Sequence, residues 1–348
     1  MRIKALARNL TLTVAAGLGL SLALGHGATA QTPAQFRCKE GETYYMNVMV
    51  SGVEYWFPVY EMFKQAAQSL GCKTAYTGTP EYDVTKQIAS FDQILAKKPA
   101  GILVHPMNSD PFIEPINRAT ASGVPVVTFA ADSPNSKRVS YVTSDNDREG
   151  SYAADVIAKA MGGKGEYGIL ENPGQDNHDR RVAAFVKRMG EKHPGIKLVA
   201  RAPSNQDPTK AYNAALSMAQ ANPNLGALFM PEANSALGAA QAAQELGGKI
   251  KVMNADVNGK ILDMIKSGQV FGAINPNQGM QGYMGFMLLF MAAHPELIDP
   301  MNDYKRSGFN PMGVPFVDNG FAVVTKDNAD DFYWDAYLKR RGTKGIKE

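Results

Sequence analysis

VPVVTFAADSPNSKRVSYVTSDN, residues 124–146, opens with an apolar run, Val124–Phe129, that reads as a buried strand. A short apolar run bounded by turn residues suits a strand covered on both faces, as in parallel α/β sheets. Asp132 follows in a polar loop, Val139–Val142 reads as a second short strand, and Ser144-Asp145-Asn146 as a flexible exit. Open sheets of this kind bind ligands beyond the carboxyl ends of their strands. The segment therefore reads as the lip of a ligand cleft followed by a crossing between two lobes.

Upstream, strand and helix patterns alternate. Tyr44–Val50 reads as a strand, Pro58–Leu70 as a helix stopped by Gly71, and Lys73–Tyr76 as a strand. Asp83 caps a helix whose Val84, Ile88, Phe91, Ile94 and Leu95 form an apolar stripe. Gly101–His105 and a helix over Pro111–Ala121 lead back to the opening segment. A second set of similar size follows Asn146: strands at Glu166–Leu170, Lys197–Ala200, Ala227–Met230, Lys251–Asn254 and Val270–Ile274, with helices between them. Asp207-Pro208 starts one of these helices, Asp as cap and Pro in the first turn. Two successive β/α sets predict two similar sheet domains. Gly279–His294 is apolar almost all round, too short to span a bilayer, and reads as a buried helix of the first lobe after the chain has crossed back. A strand at Phe321–Val324 and a helix near Ala329–Leu338 close the chain.

The first thirty residues read as a secretory signal: a basic start (Arg2, Lys4, Arg8), an apolar run (Leu10–Leu24) and small residues at Ala28-Thr29-Ala30. That run falls short of the ~20 residues a spanning helix needs. Export to the periplasm is the expectation. Those three cations belong to the chain's 36 basic residues, so the remainder balances 33 basic against 33 acidic, and nothing points to a nucleic-acid partner. About 318 residues remain, beyond a comfortable single core, which again predicts two lobes. Cys38 and Cys72 stand near the starts of two strands, and an oxidising compartment leaves either a disulfide or two unpaired thiols.

No catalytic signature stands out. The four histidines outside the signal, His105, His178, His193 and His294, form no metal-ligand spacing, and no nucleophile motif is found. Neither cofactor nor metal is expected. The strand ends instead carry aromatic and polar groups: Ser51 with Tyr55-Trp56-Phe57, then Asp132, then Asn177, His178 and Arg181. Glu232 and Asn234, Asp256, and Asn275, Asn277 and Gln278 complete the set. Vicinal hydroxyls can donate to a carboxylate while accepting from a guanidinium or amide, and an aromatic face covers the apolar side of a sugar ring. A neutral, hydroxyl-rich solute suits this inventory better than an anion.

VMVSGVEYWFPVYEMFKQAAQSLG (48–71), ILVHPMNSD (102–110), GVPVVTFAADSPNSKRVSYVTSDN (123–146), FMPEANSALGAAQAA (229–243) and NGFAVVTKDNADDF (319–332) together resemble the type I periplasmic substrate-binding proteins of the ribose and autoinducer-type sugar ABC transporter group. The resemblance implies an α/β fold of two Rossmann-like lobes with parallel sheets joined by three crossings. It implies hinge segments near Thr143–Asn146, Asn275–Asn277 and Met301–Tyr304. The lobes would be 31–144 plus 276–302 and 145–275 plus 303–348. By position it puts Tyr55, Trp56 and Phe57 on an aromatic wall, with Arg181, Asp256 and one of Asn275 to Gln278 as polar contacts. Where ribose binders carry an Asp-Arg pair, this chain has Ala130-Ala131 before Asp132; Glu232 replaces an amide, and Asn254-Ala255 replaces Gly-Phe. The expected ligand is thus a pentose, deoxysugar or polyol, delivered by a monomeric protein to an ABC permease in the inner membrane. The alternative is a receptor for a furanosyl autoinducer or for sugar chemotaxis. Repressors that share this fold begin with a DNA-binding segment where this chain has its export signal.

Overall fold

The computed structural model describes residues 36–298 and 314–342. The signal segment and the hinge candidate Met301–Tyr304 lie outside the described residues. One lobe is built from β1 (Thr43–Val50), α1 (Trp56–Ser69), β2 (Lys73–Thr79), α2 (Val84–Ala96), β3 (Gly101–Val104), α3 (Ile113–Ala121), β4 (Val126–Phe129) and β5 (Ser140–Thr143). The other takes α4 (Asn146–Ala160), β6 (Gly165–Glu171), α5 (Asp176–Lys192), β7 (Ile196–Pro203), α6 (Pro208–Ala221), β8 (Leu225–Met230), α7 (Ala233–Glu245), β9 (Lys251–Ala255), α8 (Gly259–Ser267) and β10 (Gly272–Pro276). The chain ends with α9 (Gln278–Ala293), α10 (Pro295–Ile298), β11 (Phe316–Asp318), β12 (Phe321–Val324) and α11 (Trp334–Arg341).

Two six-stranded sheets result, ordered β11-β5-β4-β3-β1-β2 and β12-β10-β9-β8-β6-β7. The first is parallel throughout; the second is parallel except for β12, which runs antiparallel to β10. Every residue of β3, β4 and β5 is buried, which is why these strands read as unbroken rather than alternating. Helices cover both faces. In the first lobe one core gathers around Tyr44, Phe63 and Phe286, and the other around Phe91, Ile102 and Phe112.

Local rules hold where they were legible. Asp83 accepts from the Lys86 amide at 3.0 Å, and Asp207 from Thr209 and Lys210 at 2.8 and 3.1 Å. Helix α9 packs on α1 and on the first sheet, as a helix apolar on all sides requires. Their approach needs a glycine, because a Cβ on Gly282 would stand 1.8 Å from the Val59 carbonyl oxygen. Cys38 and Cys72 form a disulfide that ties the entry segment to the start of β2.

The crossings are knitted at Asp318-Asn319. The Asn319 amide donates to Thr143 O at 3.1 Å, its Nδ2 donates to Asn277 O at 3.0 Å, and Asn277 N donates to Gly320 O at 3.0 Å. Asp318 accepts from Gly320 N at 2.8 Å and Asp145 N at 3.3 Å. One boundary needs correcting. Residues 303–348 were expected in the second lobe, but β11 pairs with β5 in the first sheet, and the chain changes lobe at Asn319-Gly320. A three-residue strand carries too little pattern to announce which sheet edge it will join.

Candidate functional site

A cavity of about 390 Å³ lies between the lobes at the carboxyl ends of the strands. Eight of the expected residues line it: Tyr55 and Trp56 from the first lobe, and Asn177, His178, Arg181, Glu232, Asn234 and Asp256 from the second. Trp56 opens α1 and is fixed by Nε1 donating to Val50 O at 2.7 Å, with Tyr55 edge-on at 5.0 Å. The Tyr55 hydroxyl donates to Gln281 Oε1 at 3.1 Å.

Arg181 is held within its own lobe. Nε donates to Glu149 Oε2 at 2.8 Å, Nη1 to Pro231 O at 2.6 Å and Nη2 to Asn146 Oδ1 at 3.1 Å, while Nη2 also lies 2.6 Å from Glu149 Oε2. Of the five N–H groups of a guanidinium, one on Nη1 is left for the cavity. Burial works against its charge, but Glu149 and Asp256 outweigh that and raise its pKa. Burial pushes Asp256 up to about 7, with Glu149 and Glu232 adding to the shift and Arg181 opposing it. Asp256 also holds a left-handed backbone, φ 65°, which turns it from the end of β9 toward the cavity. Glu232 is raised by burial and is spent capping α7, accepting from Asn234 N at 2.6 Å and Ser235 N at 3.1 Å.

Two histidines stand in the wall, His178 from the expected set and His105 beyond it. His105, at the end of β3, packs on Trp56 at 4.7 Å, and burial pushes it down to about 3. His178 is driven well below its ordinary value by burial, Arg181 and His105. Asn172 Nδ2 lies 3.0 Å from His178 Nδ1; with the ring neutral, the amide donates and the ring proton stays on Nε2. Asn177 Oδ1 is buried with no hydrogen-bond partner among the described residues. The cavity therefore offers acceptors at Asp256 and Asn177, donors at Arg181 and His178, and an aromatic face.

The other candidates go elsewhere. Asp132 was expected on the lip, yet its carboxylate takes Arg138 Nε and Nη2 at 2.5 and 2.6 Å and Thr128 Oγ1 at 2.6 Å. It pairs with the part-buried Arg138 inside the β4–β5 connection, and the left-handed turn at Ala130 (φ 57°) brings Ala130 to the cavity in its place. Ser51 stays in the loop after β1, its carbonyl accepting from the Tyr76 hydroxyl at 2.5 Å. Phe57 turns away to pack on Trp334 at 6.1 Å. Asn275, Asn277 and Gln278 line a neighbouring cavity of about 450 Å³ that shares Glu54, Tyr55, Val257 and Pro276 with the first. Glu149, His105 and Glu54 were missed as contributors. A strand-end position signals His105, whereas Glu149 acts only through a helix 32 residues away.

Among the described residues no helix is long and apolar enough to cross a membrane. Residues 45–295 match the family described as periplasmic binding protein domain. The chain is 27% identical to the D-allose-binding periplasmic protein of Escherichia coli K12, over 71% of this chain and 83% of that one. The structure of an arabinose binding protein from Geobacillus stearothermophilus superposes with TM-score 0.76 at 31% identity, covering 84% of this chain and 99% of that one. A carbohydrate transporter solute binding protein from Agrobacterium radiobacter, solved with D-arabinose, gives 0.73 at 28% identity over 84% and 97%. Two hinged lobes, a cavity at the strand tips and these matches lead to one assignment: the chain belongs to the periplasmic binding protein family, whose members bind solutes and are not enzymes.

Proposed function

We propose that this protein captures a small neutral carbohydrate, a pentose, deoxysugar or polyol, and delivers it as a monomer to an ABC permease in the inner membrane after export to the periplasm. The observation that carries this reading is the pairing of charge in the cavity. The buried cation there, Arg181, is already balanced by Glu149, and Asp256 adds a further acid. Such a wall disfavours a second anion and suits hydroxyl groups that donate to Asp256 and Asn177 while accepting from Arg181 and His178. Trp56 and Tyr55 supply the face on which the apolar side of a sugar ring lies. A volume of about 390 Å³ is at the small end for ligand pockets. Contacts made with both lobes favour the closed form by their differential free energy.

Thermal-shift and calorimetric screening of pentoses, hexoses, deoxysugars and polyols tests the proposal. A matching ligand raises the melting temperature by mass action. Binding confined to sugar acids or sugar phosphates would overturn it.

A further inference from the structure

Glu54 sits in the loop after β1, in the first lobe, and its Oε2 accepts from the backbone N of Gly259 at 3.1 Å. Gly259 is the first residue of α8, in the second lobe, 205 positions further along the chain. The opening N–H groups of a helix have no partner within it. Asn258 caps α8 by accepting from Ile261 N at 2.9 Å, and Glu54 supplies the partner for Gly259. A carboxylate is also favoured there by the positive end of the helix dipole. Glu54 borders the cleft and, with Tyr55, Val257 and Pro276, the neighbouring cavity, so it stands in the partition where the lobes meet. Elsewhere along the cleft the Tyr82 hydroxyl of the first lobe reaches Asn172 and Gln206 of the second.

We propose that Glu54 is a closure latch: its seat on the amino end of α8 sets how tightly the cleft holds any occupant without choosing among occupants. The proposal rests on the reading of the cleft as a ligand site. The bond contains no ligand atom and exists only when the lobes are together, so it stabilises the closed form alone. Apparent affinity scales with the population of the binding-competent form. Loss of the latch therefore weakens every ligand by one common factor.

Glu54→Ala and Glu54→Gln are compared with wild type by calorimetry against each sugar or polyol that the wild type binds. The expected result is a loss of about tenfold for Glu54→Ala, equal across ligands with their ranking preserved, and a smaller loss for Glu54→Gln. A loss confined to one ligand makes Glu54 a ligand contact and overturns the latch; so do unchanged affinities. A second measurement needs no ligand. With fluorophores on Ser122→Cys and Lys249→Cys, one in each lobe, energy transfer in ligand-free Glu54→Ala should shift toward a more open distribution than in the labelled parent. An unchanged distribution overturns the latch. If the wild type binds nothing in the panel, the carbohydrate reading fails, and the transfer measurement alone judges the latch.

Discussion

Arg181 Nε lies 2.8 Å from Glu149 Oε2, and both side chains come from the second lobe. Ser144, at the first crossing, donates to the other Glu149 oxygen at 2.5 Å. The guanidinium is thus aimed and neutralised by its own lobe, and the pair is tied directly to the hinge. Replacing Glu149 by Ala leaves a buried cation without its carboxylate, which costs about 3–5 kcal/mol. Urea unfolding should show that loss, and Glu149→Gln, which keeps the shape, should recover part of it.

Asp256→Asn should separate stability from binding. The folded-state pKa of Asp256 is raised to about 7 from an ordinary 3.8. Between those values the native state holds the extra proton, so this group's contribution falls as pH rises through the window. At 1.36 kcal/mol per unit, the loss by pH 7 is about 4 kcal/mol at most. His178 and His105, both depressed, act in the opposite sense, their contribution falling as pH drops below about 6.5. The difference between wild type and Asp256→Asn isolates Asp256: the variant should be the more stable at pH 7 and the gap should close toward pH 4. Its ligand affinity should fall about ten- to a hundredfold.

Proton release on binding follows from the same group. A ligand hydroxyl that donates to Asp256 favours its ionised form, so the site should bind more tightly as pH rises through about 7. Calorimetry at pH 6 in buffers of different ionisation enthalpy should register a proton released per ligand bound, and Asp256→Asn should abolish it.

Asp132 should matter for folding and not for affinity. Its partner Arg138 and the donor Thr128 leave it no role at the cavity wall. Asp132→Ala removes the carboxylate that holds the part-buried Arg138 and should destabilise by about 1–3 kcal/mol. The folded fraction should bind as wild type does; a selective loss of affinity at unchanged stability would return Asp132 to the site.

Gly150→Ala tests how α5 is positioned. A Cβ at this residue of α4 would lie 2.1 Å from the Arg181 carbonyl oxygen. The helices must separate, at a cost of about 1–3 kcal/mol, and Arg181 moves with its backbone. Both the unfolding midpoint and ligand affinity should drop.

The strand runs, helix caps and the buried character of α9 were readable because each is local. Periodicity, an Asp before a helix, or an apolar stretch of fixed length needs only neighbouring residues. Tyr55, Trp56, Asn177, Arg181, Glu232 and Asp256 were readable as strand-end groups for the same reason, since a parallel sheet sends all its carboxyl ends one way. Local pattern therefore suffices for the two α/β units and for which end of each carries the chemistry. Packing settles the rest: Asp132 closes on Arg138, β11 joins the first sheet, Asn275, Asn277 and Gln278 face a second cavity, and Glu54 reaches α8. Each of these is a choice among partners, and partners 6 to 205 residues apart are selected by how finished elements pack, which no local pattern records.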